Sequence, residues 1–302
     1  MSVSPAFVLK VDVDTHVGLR EGAPRLLELF AKHGVRASWF VTMGPDRTGR
    51  SVLRVFRQKG FLAKMLASGA PRLYPLSTML RGTLLPAIPV VATQPERLLE
   101  IERSDHELGI HGFDHVYWHD ELATMQQSEV EAEVGRAASL FEEIVGRRPD
   151  RFAAPGWQCT AASLRATDAL GLRLRSDTRG AHPYRPRVGA YQSDTPEIPT
   201  TLPTLDEVLG RAGRTAGELV RVYADWVQPE QLNVHTVHTE VEGAGYVDQL
   251  DGLLRRVRDR LPVRTLGEVA AELASGGDLP SAEVAPGRMP GRGGTVACQE
   301  AA

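Results

Sequence analysis

Cysteine is nearly absent: the 302-residue sequence holds two, Cys159 and Cys298. That excludes a disulfide framework and a cysteine-rich zinc site, and it fits a reducing compartment. Long apolar runs are missing too, so no stretch is expected to span a bilayer. The first ten residues, MSVSPAFVLK, lack a basic start followed by a long apolar stretch, and no secretory signal is expected. A cytoplasmic protein is the consistent reading. Net charge is only −3, which gives no reason to expect a nucleic-acid partner. There is no internal repeat. The length admits one large α/β domain or two smaller ones.

A local absence is more informative. Residues 47–95 contain no Asp or Glu, yet carry Arg47, Arg50, Arg54, Arg57, Lys59, Lys64, Arg72 and Arg81 interleaved with Leu, Val, Phe and Met. A basic, apolar, amphipathic segment of this kind suits an anionic membrane surface. Prolines at 71, 75, 86 and 89 break it into short pieces. The alternative is a helical insertion packed on the core with its basic face outward; the complete lack of acid favours the membrane.

Around this segment strands and helices alternate. Strands are expected at 6–11, 35–42, 107–111, 150–154, 172–176 and 232–238, with a short one near Val263. Helices are expected at 21–33, 95–103, 126–145, 161–170, 215–227, 247–260 and 266–274. Thr124 and Gln127 have the spacing of a capping box for the long helix. The β-α-β order argues for a parallel sheet with crossover helices. The catalytic domain is expected to cover residues 5–275. Residues 276–302, rich in Gly, Pro and Ala, read as a poorly ordered tail.

Polar residues recur where strands end. VDVDT (11–15) puts Asp12 and Asp14 two apart, on one side of an extended chain, so one carboxylate can hold a metal while the other takes a proton. HGFDH (111–115) offers two histidines at i and i+4, on one face of a helical turn, and His/His/Asp is a common metal-ligand set. AAPGW (153–157), SDTRG (176–180) and HTVHTE (235–240) follow three more strands. In a barrel of parallel strands, such ends converge on the face where active sites sit. His106 and His119 read as surface histidines, and His235 as either a neighbour of the site or simply buried.

This order of motifs, over residues 7–274, resembles the polysaccharide deacetylases, carbohydrate esterase family four. The resemblance implies a distorted (β/α) barrel, here with a basic amphipathic insertion, and metal-dependent removal of an acyl group from a sugar. It implies Asp14, His111 and His115 as metal ligands, Asp12 as catalytic base and His238 as general acid. The metal would be a divalent ion, with zinc first and manganese, cobalt or nickel also suited. The family's first motif has adjacent aspartates, whereas Val13 intervenes here. The position of the arginine that orients the base is Ala153 here, which leaves Arg175 and Arg179 as candidates to replace it. Trp157 is a candidate wall of the pocket, Asp177 an orienting or sugar-binding group, and Arg179 a phosphate ligand; core packing for Trp157 and an ion pair for the other two are the competing readings.

Within the family, VDVDT with the following GLREGAPRLLE, the GPD at 44–46, SDTRG, TLPTLDEV and the HTEVEG at 238–243 look like the branch that deformylates undecaprenyl-phosphate-linked 4-deoxy-4-formamido-L-arabinose before its transfer to lipid A. That likeness implies a lipid-linked sugar substrate, an anionic inner-membrane surface as partner and a peripheral position on its cytoplasmic face. An N-deacetylase of another sugar and a non-catalytic sugar-lipid-binding protein are the alternatives.

Overall fold

Residues 6–13 form the strand about which the molecule is built. In the computed structural model, which describes residues 3–50, 79–209, 211–213, 215–276 and 278–300, β1 (Ala6–Val13) is buried at every position. A strand covered on both faces is the mark of a parallel sheet packed between helices. The chain proceeds through α1 (Ala23–His33), β2 (Ser38–Val41), α2 (Pro95–Arg103), β3 (Glu107–Ile110), α3 (His115–Glu121), α4 (Gln127–Val145), β4 (Arg151–Phe152), α5 (Ala161–Asp168) and β5 (Leu174–Arg175). It continues through β6 (Arg185–Val188), β7 (Tyr191–Gln192), α6 (Ala216–Trp226), β8 (Leu232–His238), α7 (Val247–Arg258), β9 (Val263–Arg264), α8 (Leu266–Gly276), β10 (Ser281–Gly287) and β11 (Val296–Gln299).

The main sheet runs β8-β1-β2-β3-β4-β5, all parallel, with β9 also paired to β1. It curls without closing. Between its edges lies an irregular stretch: Ile198 donates to the Arg175 carbonyl, and Thr201 and Leu202 donate to that of Val234. This is the distorted barrel the sequence predicts. Aromatic and branched side chains such as Phe7, Trp39, Leu108 and Phe141 pack the space between sheet and helices.

Three expectations are corrected. The long helix is capped by Gln126 and Glu129, not Thr124 and Gln127. The two histidines of HGFDH do not share a helix face, because Gly112 takes a left-handed φ of 71° and the helix starts only at His115, with Asp114 capping it through the Tyr117 N–H. The final segment, expected to be poorly ordered, forms β10 and β11 of a second sheet ordered β11-β10-β6-β7. Val284, Ala282 and Ala297 are buried there against Tyr184, so the apolar alternation within a Gly/Pro-rich sequence suffices to seat two strands.

Residues 51–78, the greater part of the basic segment with Arg54, Arg57 and Lys64, lie outside the described residues. The segment's two ends meet: Gly49 donates to the Arg81 carbonyl. Arg47 is anchored on Asp114 of HGFDH, Nη1 to Oδ2 at 2.5 Å. Among the described residues no helix is long and apolar enough to cross a membrane.

Candidate active site

Asp14 follows the last residue of β1. Its turn is held by Glu240, whose Oε1 accepts from the N–H of Asp14 (3.0 Å), the N–H of Thr15 (2.8 Å) and the Thr15 hydroxyl (2.8 Å). Burial, then the charge of Asp14, push the Glu240 carboxyl up to about 7 against the Thr15 hydrogen bond. His111 closes β3 and its ring Nδ1 lies 2.8 Å from the Ala153 carbonyl, which as acceptor fixes the tautomer and leaves Nε2 free to bind a metal. That Nε2 is 3.3 Å from Asp14 Oδ1, and His115 Nε2 is 3.5 Å from Asp14 Oδ2. One ligand atom from each of the three residues lies within 4.8 Å of the others.

The donor set fits a divalent ion. Asp14 Oδ1 is buried without a hydrogen-bond partner. Burial opposes its charge, yet His115, His111 and His238 hold the carboxyl well below the usual range. Burial also pulls His115 down, which keeps it neutral as a ligand must be. Two imidazoles and a carboxylate suit zinc and its neighbours, with open positions left over.

Asp12 pairs in register with His238 of β8. Lys10, on the same side of β1, is the cation beside Asp12: its Nζ is 3.3 Å from Asp12 Oδ2 and donates to the Ser176 carbonyl at 3.1 Å. Asp12 Oδ1 is buried with no hydrogen-bond partner. The sequence offered Arg175 and Arg179 for this task, and both are engaged elsewhere. Arg175 Nη2 bonds Asp168 Oδ1 at 2.5 Å. The i, i+2 relation of Lys10 to Asp12 was the available signal, hidden inside an otherwise apolar strand.

His238 is half-buried and its backbone N–H donates to Glu242 Oε2 at 2.8 Å. Burial pulls the imidazole down, but Asp14, Asp206, Asp12 and Glu242 outweigh it and raise it to about 9. Asp206 is exposed. The surrounding protein works to raise its carboxyl, and His238 and Arg292 hold it below the usual range. Neither Asp206 nor Glu240 was singled out from the sequence, although both sit inside the quoted motifs TLPTLDEV and HTEVEG.

Trp157 stands edge-on to His238, ring centroids 6.3 Å apart, with Lys10 at 5.3 Å from its ring. At 2% exposure it is a packed wall beside His238, with the burial that the core-packing reading expects, and it holds a φ of +53°, a strained value for a bulky residue of the sort found at functional sites. Asp177 and Arg179 sit behind that wall. Asp177 is 1% exposed; burial and Glu197 raise its carboxyl well above the ordinary value. Arg179 is 3% exposed and its guanidinium is spent on Glu207 (2.9 and 3.1 Å) and the Leu202 carbonyl (3.0 Å). The structure thus gives Arg179 the ion-pair reading. His235 is in the core, its ring tilted against Tyr223 with centroids 4.7 Å apart, and burial lowers it to about 3. His106 is likewise structural, its Nδ1 accepting from the Ala37 N–H at 3.1 Å.

Fold and site define a hydrolase built on an incomplete (β/α) barrel, with a candidate metal triad at the strands' C-terminal ends. The model of the family described as polysaccharide deacetylase matches residues 6–174, over half of the chain, and the chain belongs to that family. A relative from Shewanella sediminis, named "Probable 4-deoxy-4-formamido-L-arabinose-phosphoundecaprenol deformylase ArnD", is 37% identical over 236 residues, 78% of this chain and 75% of its own. One of the same name from Wigglesworthia glossinidia brevipalpis is 26% identical, covering 94% of this chain and 99% of its own. Among solved structures, a "probable Polysaccharide deacetylase" from Pseudomonas aeruginosa superposes with a TM-score of 0.59 at 14% identity, covering 91% and 92% of the two chains, which bears on the fold alone. The protein is a hydrolase of C–N amide bonds.

Proposed function

We propose that this enzyme removes the formyl group from undecaprenyl-phosphate-linked 4-deoxy-4-formamido-L-arabinose, in the route that adds aminoarabinose to lipid A. The observation that carries the reading is the meeting of Asp12, Asp14, His111, His115 and His238 in one cleft, in a chain 37% identical to a relative named for that activity. Asp14, His111 and His115 would hold a divalent ion, for which zinc suits two imidazoles and a carboxylate. When bound, that ion supplies Lewis acidity for the amide carbonyl and the attacking water.

The remaining steps belong to the chain. Asp12 Oδ1, free of other hydrogen bonds, accepts the proton of the water that attacks the formamide carbon. Lys10 holds the other oxygen of that carboxylate and keeps the base aimed. His238, raised to about 9, is protonated at neutral pH and donates to the departing nitrogen as the C–N bond breaks. The products are formate and the free 4-amino sugar. Trp157, 2% exposed, packs edge-on against His238 and backs the imidazole.

A membrane-bound substrate needs an enzyme that docks. Leu84 and Leu85 are 81% and 39% exposed, at the end of the basic segment that returns to Gly49, and Arg47 ties that segment to the metal motif. We assign this face to the anionic cytoplasmic surface of the inner membrane. Mass spectrometry of the lipid-linked formamido sugar after incubation with enzyme tests the reading. Loss of formyl with release of formate is expected; an untouched substrate, or faster release of acetate from an acetamido analogue, overturns it.

A further inference from the structure

The C-terminal segment contributes to the active-site cleft. Its loop between β10 and β11 crosses the wall of the site: Gln158, next to Trp157, donates through Nε2 to the Thr295 carbonyl at 2.8 Å. Arg179 N–H donates to Ala297 and its carbonyl accepts from Gln299. Within the loop, Gly291 has a left-handed φ of 92° and lies directly on the Glu207 carbonyl, where a side chain has no room. Arg292 follows, its N–H bonded to the Met289 carbonyl at 3.2 Å. Its guanidinium carbon lies 4.6 Å from the ring of Trp157, the residue that stands edge-on to His238.

The charges around it are otherwise matched. Arg179 makes both close hydrogen bonds to Glu207, and Asp206 faces the charge of His238. Arg292 reaches Glu207 only at 3.6 Å, with its side chain 18% exposed. Among the described residues its guanidinium makes no hydrogen bond. A guanidinium presents five donors in a planar fork suited to phosphate. Here it lies over an aromatic ring, paired at 3.6 Å with a Glu207 that Arg179 already neutralises, with its hydrogen-bonding fork still open.

We infer that Arg292 binds the phosphodiester that joins the sugar to its lipid. This rests on the substrate proposed above. In that substrate the amide at C4 and the phosphate at C1 lie across one pyranose ring. The group that recognises the phosphate must therefore sit near His238, and Arg292 touches the same Trp157 and acts on the same Asp206 carboxylate as His238 does. Arg179, the sequence's phosphate candidate, serves instead to neutralise Glu207 beneath it.

The test compares two substrates and one ligand. Wild type, Arg292→Gln and Arg292→Lys are assayed on a short-chain prenyl-phosphate-linked formamido-arabinose and on the methyl glycoside of the same formamido sugar, which has no phosphate. Arg292→Gln is expected to lose about 10- to 100-fold in kcat/KM on the phosphodiester. The loss falls mainly in KM, because the contact is made equally in ground and transition states. The methyl glycoside is hydrolysed as by wild type, and Arg292→Lys recovers part of the loss as a point charge. Equal losses on both substrates, or none, overturn the inference. Binding of neryl phosphate by calorimetry reads the site without turnover: wild type binds it and Arg292→Gln binds it at least tenfold more weakly, whereas equal binding overturns the inference. Failure of wild type to release formate from either substrate counts against the proposed function and leaves the calorimetric comparison to decide the role of Arg292.

Discussion

Lys10→Met is the substitution that most sharply probes how the base is held. Lys10 is wholly buried, its ammonium 3.3 Å from Asp12 Oδ2 and bonded to the Ser176 carbonyl. At that distance, with the effective dielectric suited to protein sites, the attraction is about 5 kcal/mol before desolvation. Methionine keeps the stem's shape against Phe40 and Trp157 but leaves a buried carboxylate without its cation, a change that typically costs ~3–5 kcal/mol of stability. The variant is therefore expected to melt well below wild type yet still to fold at low temperature. With the carboxylate no longer aimed, kcat is expected to fall about 10²-fold. Metal content is expected to stay unchanged, since Lys10 touches none of Asp14, His111 or His115. Single-turnover formate release at low temperature, read beside a thermal melt and elemental analysis, separates these effects. A folded, metal-loaded Lys10→Met with kcat within twofold of wild type refutes the assignment of Lys10 as the residue that orients Asp12.

Three further outcomes follow from the same geometry. His238 is raised to about 9 by carboxylates that include Asp206, so it is protonated below that pH; Asp206→Asn removes one negative charge, and the alkaline limb of kcat is expected to shift to lower pH, while an unmoved limb argues against His238 as the acid. Glu240→Gln takes the charge from three hydrogen bonds that close the Asp14 turn, and metal affinity measured by competition with a chelator is expected to fall about 10- to 100-fold; unchanged affinity removes Glu240 from the site's support. A Leu84→Asp, Leu85→Asp double variant is expected to sediment less with anionic vesicles while keeping its activity on a soluble methyl glycoside, and undiminished vesicle binding removes this face from the docking surface.

Much of the architecture was legible because it rests on local rules. The apolar runs that became β1 and β8, the proline in the first turn of α1 and the glycines ending α1 and α4 mark elements whose bounds the structure keeps to within a few residues. The metal triad was legible as a resemblance, but its local geometry was not. Helical spacing suggested one face for His111 and His115, whereas a left-handed Gly112 ends the strand and starts the helix between them. Partnerships across the fold were out of reach for a different reason. Arg179 reads as a phosphate ligand until Glu207, 28 residues away, is brought against it. Lys10, inside an otherwise apolar strand, finds its partners only in the fold, at Asp12 and the Ser176 carbonyl. The tail's composition suggested no structure, and its strands form only because β6 offers an edge for β10 to extend in parallel.

The central claim is that a metal held by Asp14, His111 and His115 serves Asp12 and His238 in amide hydrolysis. Its most direct test is reconstitution. Wild type, Asp14→Ala and Asp12→Ala are stripped with a chelator, titrated with zinc and assayed for formate release from the lipid-linked formamido sugar, with bound metal measured alongside. Stripped wild type is expected to be inactive and to regain full activity at one equivalent, Asp14→Ala to bind no metal at that level, and Asp12→Ala to bind one equivalent without turnover. Formate release by the stripped wild type, or one tightly bound equivalent in Asp14→Ala, contradicts the account.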